Sequence, residues 1–171
     1  MTAIVIDTNV LLVADGKAPQ MSEACKVECM ARLERVKATE QVVLDDEWLI
    51  LGEYQKKLNP NGPNTPGNEF VRWLVQAHQR NAWVTITPTN AEQTTFAEFP
   101  SDTALEAAFD PADRKFVAAA NAHPEKPSIL ESADSKWLGW EDQLKQHGIK
   151  VEVLCRGELE AIRERKTKSK R

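Results

Sequence analysis

The chain has 171 residues, 42% of them hydrophobic, and its formal net charge is −4 at pH 7. This length and composition fit one globular domain with its own core, and they exclude a fibrous or wholly disordered chain. No apolar run approaches the ~20 residues of a transmembrane helix, and the chain does not begin with a basic segment followed by an apolar one. We therefore expect a cytoplasmic protein with no membrane segment.

The cysteines and the C-terminal charges each carry a prediction. Cys25, Cys29 and Cys155 are too few and too scattered for a disulfide framework, and they lack a fourth zinc ligand, so we expect small core residues. Residues 163–171 contain six basic residues and one acid. They predict a basic, disordered tail after a domain that spans residues 1–162.

Short apolar runs alternate with amphipathic segments along the whole chain. The runs that predict strands are 4–6, 41–44, 83–87, 128–130 and 149–154. The segments that predict helices are 22–36, 47–58, 69–80, 103–109, 110–123, 135–146 and 157–165. Residues 59–68 contain three prolines and two glycines, which predicts an exposed, irregular loop. Strands that alternate with helices favour an α/β fold with a five-stranded parallel sheet between two helical layers.

The first predicted strand ends in an acid. Residues 4–6, Ile-Val-Ile, are β-branched and apolar on both faces, which is typical of a buried parallel strand. Asp7 follows directly, and Thr8 and Asn9 after it are compatible with a turn. Asp7 should therefore stand at the carboxyl end of the strand, where open α/β sheets bind ligands.

A second acid lies on the helix predicted over 47–58. Glu53 borders the apolar face of that helix rather than the centre of the solvent face. Gly52 beside it weakens a helix by roughly 1 kcal/mol relative to Ala, which indicates the close approach of another backbone or a ligand. Glu47 is the alternative acid, but as the first helical residue after the predicted N-cap Asp46 it is explained by the helix dipole.

Two further acids follow in the second half of the chain. Asp110 followed by Pro111 is a typical helix start, which explains Asp110 structurally. Asp113 then heads an apolar row at helical spacing, so its carboxylate should point inward and need a partner. Asp134 follows the fourth strand as Asp7 follows the first, although an Asp before a helix is also a common N-cap.

These four acids are expected to meet. If the first and fourth strands are neighbours, the crevice between their carboxyl ends is the point at which the winding of the chain reverses, and ligands bind there. Asp7 and Asp134 would face each other across it, with Glu53 and Asp113 entering from flanking helices. Carboxylates without His or Cys are the ligands of hard divalent ions, so we expect Mg2+ or Mn2+.

In this combination the motifs resemble a PIN domain, the metal-dependent nuclease fold of bacterial toxin ribonucleases. The resemblance runs in order from Thr2 to Leu154 and rests on Ile4-Val5-Ile6-Asp7-Thr8-Asn9, on Glu53, on the block Asp110-Pro111-Ala112-Asp113-Arg114-Lys115-Phe116-Val117-Ala118-Ala119-Ala120, and on the block around Asp134. It implies a three-layer α/β sandwich with the sheet order 3-2-1-4-5, one or two Mg2+ or Mn2+ ions, and hydrolysis of RNA phosphodiester bonds.

The predicted roles of the acids follow from metal-dependent hydrolysis. Asp7, Asp113 and Asp134 would be metal ligands, and Glu53 would be a ligand or would position a water. Lys136 stands where many PIN relatives carry a further acid, which argues against a fully occupied second metal site.

RNA is the expected partner. Asn9 would orient Asp7 or a phosphate, and Arg114, Lys115 and Lys136, with the basic tail, would contact the phosphate backbone. The resemblance leaves open a toxin–antitoxin role, in which an antitoxin protein and a second copy of the chain are further partners.

Two rival functions and the tryptophans complete the sequence-based expectations. A receiver-like signalling domain would need paired acids directly after the first strand, and Asp7-Thr8-Asn9 lacks them. A catalytically silent PIN scaffold that binds RNA or a partner protein remains the alternative. Most of the five tryptophans lie at core spacing and are predicted to be core rather than base-stacking residues, with Trp137 the closest to the proposed site.

Overall fold

The computed structural model of the protein describes residues 1–170. Its strands are β1 (Thr2–Ile6), β2 (Glu40–Asp45), β3 (Ala82–Val84), β4 (Ile129–Glu131) and β5 (Val151–Val153). They pair in parallel in the order β3-β2-β1-β4-β5, and helices flank the sheet. The α/β fold class and the strand order 3-2-1-4-5 are therefore confirmed.

Within the described residues, seven α-helices lie between the strands and an eighth follows β5. They are α1 (Thr8–Ala14), α2 (Glu23–Thr39), α3 (Leu49–Lys57), α4 (Pro66–Gln76), α5 (Thr103–Ala108), α6 (Arg114–Ala122), α7 (Lys136–Gln146) and α8 (Arg156–Ser169). Short 3-10 turns occupy His78–Arg80 and Pro111–Asp113. Across residues 1–170, no helix is both long enough and apolar enough to cross a membrane.

Helix α1 was not predicted, and two other helices begin elsewhere than predicted. Helix α1 starts immediately after Asp7, because the Asp7 carboxylate caps it by accepting the Asn9 backbone N–H at 2.8 Å. Helix α3 starts at Leu49, so Glu47 is an exposed turn residue, and its predicted place at the head of the helix is wrong. Helix α4 starts inside the predicted loop, with Thr65 as its N-cap and Pro66 in its first turn.

The end of the chain and two tryptophans also differ from expectation. Helix α8 continues to Ser169, through most of the segment for which the charge run predicted disorder, and Arg171 lies outside the described residues. Trp137 and Trp140 are buried in the core as predicted. Trp48 and Trp83 are 59% and 39% exposed, so the expectation that most of the tryptophans are core residues does not extend to these two.

A disulfide joins Cys25 on α2 to Cys155 at the start of α8, and Cys29 is buried beside it. The expectation of unpaired core cysteines is therefore wrong for two of the three. The pairing has no local signal, because 130 residues separate the two cysteines. It arises because α8 packs beside the start of α2, where the Ser22 backbone N–H donates to the Glu158 carboxylate at 2.9 Å.

Candidate metal centre

The candidate site lies where the carboxyl ends of β1 and β4 meet. Val5 pairs with Ile129 and Ile6 pairs with Leu130, so the next residues on the two strands, Asp7 and Glu131, are neighbours. Both carboxyl groups are buried, and Asp7 is only 2% exposed. The strand pairing thus brings two acids together inside the protein at the predicted switch point.

Burial and mutual repulsion perturb this pair strongly. Burial, and then the charge of Asp7, hold the pKa of Glu131 well above its usual value. Burial raises the pKa of Asp7 to about 6, against the opposing effect of hydrogen bonds from Glu131 and from the Asn9 N–H. Two buried carboxyl groups side by side cannot both ionise cheaply, so the pair favours the protonated form of Glu131.

Glu131 was not among the predicted site residues. The fourth strand was predicted to end at Leu130, one residue short of its end in the structure. An acid that directly ends an apolar strand is the signal that identified Asp7, and it recurs in Ile129-Leu130-Glu131. Glu131 directly follows the predicted strand 128–130, as Asp7 follows the predicted strand 4–6, so the same rule could have found the second acid.

Asp113 and Asp134 lie near this pair. Asp113 ends the 3-10 turn before α6 and is half-buried. Burial, then repulsion by Asp7 and by Asp134, raises the pKa of Asp113 to about 8. Asp134 is also half-buried, and one of its oxygens accepts the Lys136 backbone N–H at 3.0 Å. The structure therefore brings Asp7, Asp113 and Asp134 close enough for their charges to interact.

The loop that carries Asp134 is conformationally unusual. Ala133, between Glu131 and Asp134, adopts a left-handed backbone with φ of 73°. Left-handed backbone at a residue other than Gly is costly and is concentrated at functional sites. Here it turns the chain out of β4 so that the Asp134 backbone N–H approaches the Glu131 carboxyl, at 3.3 Å.

Glu53 is close to these acids, but both of its carboxylate oxygens are occupied. One accepts a hydrogen bond from the Thr8 hydroxyl, and the other lies 3.0 Å from the Lys115 ammonium. Lys115 is buried and also donates to the Ala112 carbonyl. The expectation that Lys115 is a surface contact for phosphate is thus replaced by an internal ion pair that balances one of the acids.

The other predicted substrate contacts are also engaged within the protein. Arg114 donates to the backbone carbonyls of Glu106 and Thr94, at 3.1 and 3.2 Å. Lys136 is exposed and forms an ion pair with Asp110 at 3.1 Å. Asn9 is half-buried, and its backbone N–H holds Asp7 in place.

The spacing of the acids is wider than a closed coordination shell. Within residues 1–170, only the three cysteines bring three potential ligand atoms within 4.8 Å of one another, and two of those cysteines are joined by the disulfide. The carboxylates therefore form an open cluster rather than a preassembled cage. Mg2+ in proteins is usually held by one or two carboxylates and keeps several bound waters, so it does not require a closed cage.

No family model, curated protein or solved structure matched the chain. The likeness to PIN domains therefore depends on the sequence motifs together with the fold and the acids described above.

Proposed function

We propose that the protein is a Mg2+- or Mn2+-dependent ribonuclease of the PIN type. The observation that supports this most strongly is the cluster of Asp7, Asp113 and Asp134 around the buried Glu131, at the carboxyl ends of β1 and β4. Burying acids with raised pKa values costs folding free energy. Such groups are concentrated at functional sites, and the switch point of an open α/β sheet is where ligands bind.

The donor chemistry of the site fits a hard divalent cation. Asp7 Oδ2 and Glu131 Oε2 are buried, and neither accepts a hydrogen bond from an N–H group or a hydroxyl among residues 1–170. The acid side chains of the cluster offer carboxylate oxygens, which suit Mg2+ and Mn2+ better than they suit softer metals. Asp7, Asp113 and Asp134 would hold the ion, and Glu131 would support Asp7 from behind.

The remaining groups of the site would orient a water and balance charge. When bound, the ion would lower the pKa of a water and neutralise charge on the scissile phosphate. Glu53, fixed between Thr8 and Lys115, is better suited to position a water than to bind metal, because neither of its oxygens is free. Lys115 would balance the charge of Glu53 among the other carboxylates.

A catalytically silent scaffold that binds RNA or a partner protein is the second candidate. Two observations favour it: the ion pair that occupies Glu53, and the absence within residues 1–170 of three acid oxygens within 4.8 Å of one another. The toxin role, the antitoxin, the homodimer and the cytoplasmic location stay predictions. Because disulfides persist mainly in oxidising compartments, the Cys25–Cys155 bond weakens the argument for the cytoplasm.

Cleavage of a labelled single-stranded RNA in Mn2+, with and without EDTA, tests the proposal. We expect cleavage that EDTA abolishes. Asp7→Asn, Asp113→Asn and Asp134→Asn should each lower the rate by more than the roughly 10–100-fold that loss of an outer-shell partner costs.

The matched control is Glu47→Gln, which changes an exposed acid outside the cluster and should leave the rate unchanged. Cleavage that persists in EDTA, or that survives all three Asp→Asn changes, would exclude the proposed reaction. Intact RNA that is nevertheless bound by the wild-type protein would favour the scaffold.

A further inference from the structure

Trp48 is the feature that the acid cluster does not explain. Its side chain is 59% exposed, and its backbone is left-handed, with φ of 61°. A bulky residue is rare in that conformation, which places Trp48 just before the first turn of α3 and directs it away from the core. The Trp83 ring supports it, with the ring centroids 5.1 Å apart and the planes tilted by 55°.

Trp48 lines a cleft of about 510 Å³ that lies beside the candidate metal centre. Glu53 and Lys115, which belong to the charge network of the acids, line the same cleft. The cleft therefore connects the exposed indole to the edge of the candidate site.

A glycine, Gly52, also lines the cleft. Gly52 lies one helical turn after Trp48, and no atom lies within 4 Å of the place that a Cβ would occupy there. The close backbone approach that the sequence suggested is therefore absent at this residue. Glycine weakens a helix, and no packing requires it at this position. Its effect is that no side chain fills the surface beside the Trp48 ring.

Positive charge lines the far end of the same helix. Lys56 continues the row of Trp48 and Gly52, and Lys57 is next to it; both are exposed and line the cleft. Neither lysine has an acid partner within 4.0 Å among residues 1–170. Glu92 on the rim is the single exposed acid that lines the cleft with them.

We propose that Trp48 is a stacking platform for one base of a single-stranded RNA, with Lys56 and Lys57 as contacts for its phosphates. This rests on the proposed function and adds a base-binding subsite to it. An exposed aromatic face next to unpaired lysines is the combination that binds single strands with little sequence preference. The supporting Trp83 ring holds Trp48 in place and so reduces the entropy lost on binding.

Fluorescence anisotropy of a labelled single-stranded RNA in EDTA, which prevents metal-dependent cleavage, tests the platform. Trp48→Ala should weaken binding about 5- to 100-fold, the effect of losing one base–aromatic stack, and Trp48→Phe should restore part of the loss. The matched control is Val27→Ala, another exposed apolar side chain, and should leave affinity unchanged.

An RNA with abasic sites identifies stacking as the cause. Against that RNA, Trp48→Ala should lose almost nothing, because no base is present to stack. An equal loss against intact and abasic RNA, or no loss against either, would overturn the platform. Loss of binding to an unrelated protein partner, with RNA affinity unchanged, would overturn it as well.

A second variant fills the cleft at Gly52 and leaves the Trp48 ring unchanged. Gly52→Leu should weaken RNA binding by filling the cleft and should raise the melting temperature, because it replaces a helical glycine where there is room. Weaker binding with a lower melting temperature would contradict the argument.

The outcomes separate this inference from the ribonuclease proposal. If the rate of metal-dependent cleavage is the same in Trp48→Ala as in the wild type, the platform is excluded and the ribonuclease proposal stands. Trp48-dependent binding without any cleavage keeps the platform and removes the ribonuclease.

Discussion

Replacing Asp7 by Asn should stabilise the metal-free protein. Asp7 is buried beside Glu131, and burial raises its pKa from 3.8 to about 6. At about 1.4 kcal/mol per pKa unit, ionised Asp7 costs the folded state about 3 kcal/mol. Asn keeps the shape and the N-cap role of Asp7 towards Asn9, and its amide can donate to the Glu131 carboxyl.

The pH dependence follows from the sign of the shift. Below about pH 4, Asp7 is protonated in both the folded and the unfolded chain, and its charge costs nothing. As the pH rises from about 4 to about 6, the unfolded chain ionises first, so the wild-type protein loses stability; above about 6 the loss is constant. The advantage of the variant should therefore be small near pH 4 and complete near pH 8.

Thermal melts in EDTA measure this. Near pH 8 the melting temperature of Asp7→Asn should exceed that of the wild type by about 6–12 °C, at 2–4 °C per kcal/mol for a chain of this size. Adding Mn2+ should raise the wild-type melting temperature and leave that of the variant unchanged. An advantage of equal size near pH 4 and near pH 8, or an unchanged Mn2+ shift in the variant, would refute the reasoning. Glu47→Gln is the control and should melt like the wild type under all conditions.

Two further predictions concern links within the fold. Cys155→Ser should lower the free energy of unfolding by up to about 5 kcal/mol, because the disulfide closes a loop of 130 residues, and a reducing agent should abolish the difference from wild type in thermal melts. Lys115→Met should cost about 2–3 kcal/mol in urea unfolding, because it leaves the Glu53 carboxylate unpaired among acids. Lys136→Met breaks an exposed pair and should cost less than about 1 kcal/mol; equal losses for the two lysines would contradict the internal role of Lys115.

The architecture could be predicted because its signals are local. The β-branched run 4–6 and the apolar run 41–44 are the central strands β1 and β2, and the alternation of strands with helices requires a parallel sheet. Asp7, Asp113 and Asp134 were found by the same local rule, which looks for an acid at the end of a strand or at the head of an apolar row.

The features that escaped prediction depend on long-range packing or on a single backbone angle. The Lys115–Glu53 pair joins residues 62 apart, and the disulfide joins residues 130 apart. Trp48 was predicted to lie within a helix that begins at Glu47, where its spacing suits the core. The left-handed backbone at Trp48 ends that pattern and turns the ring outward, and no propensity signals a left-handed tryptophan.

Helix α3 holds residues of both proposals, Trp48 at its start and Glu53 within it, in a fixed relation. Its first N–H groups, on Leu49 and Ile50, donate to the Asp45 carboxylate at the end of β2, at 3.0 and 2.8 Å. Further along, the Tyr54 hydroxyl donates to the Ile6 carbonyl, next to Asp7. Trp48 is the N-cap residue of this anchored helix, and Glu53 is five residues further along, about 7.5 Å in the direction of its axis. A base held on Trp48 would therefore lie at a distance from Glu53 that the rigid helix fixes, so that the helix, rather than the base sequence, would determine which phosphodiester bond is positioned for cleavage.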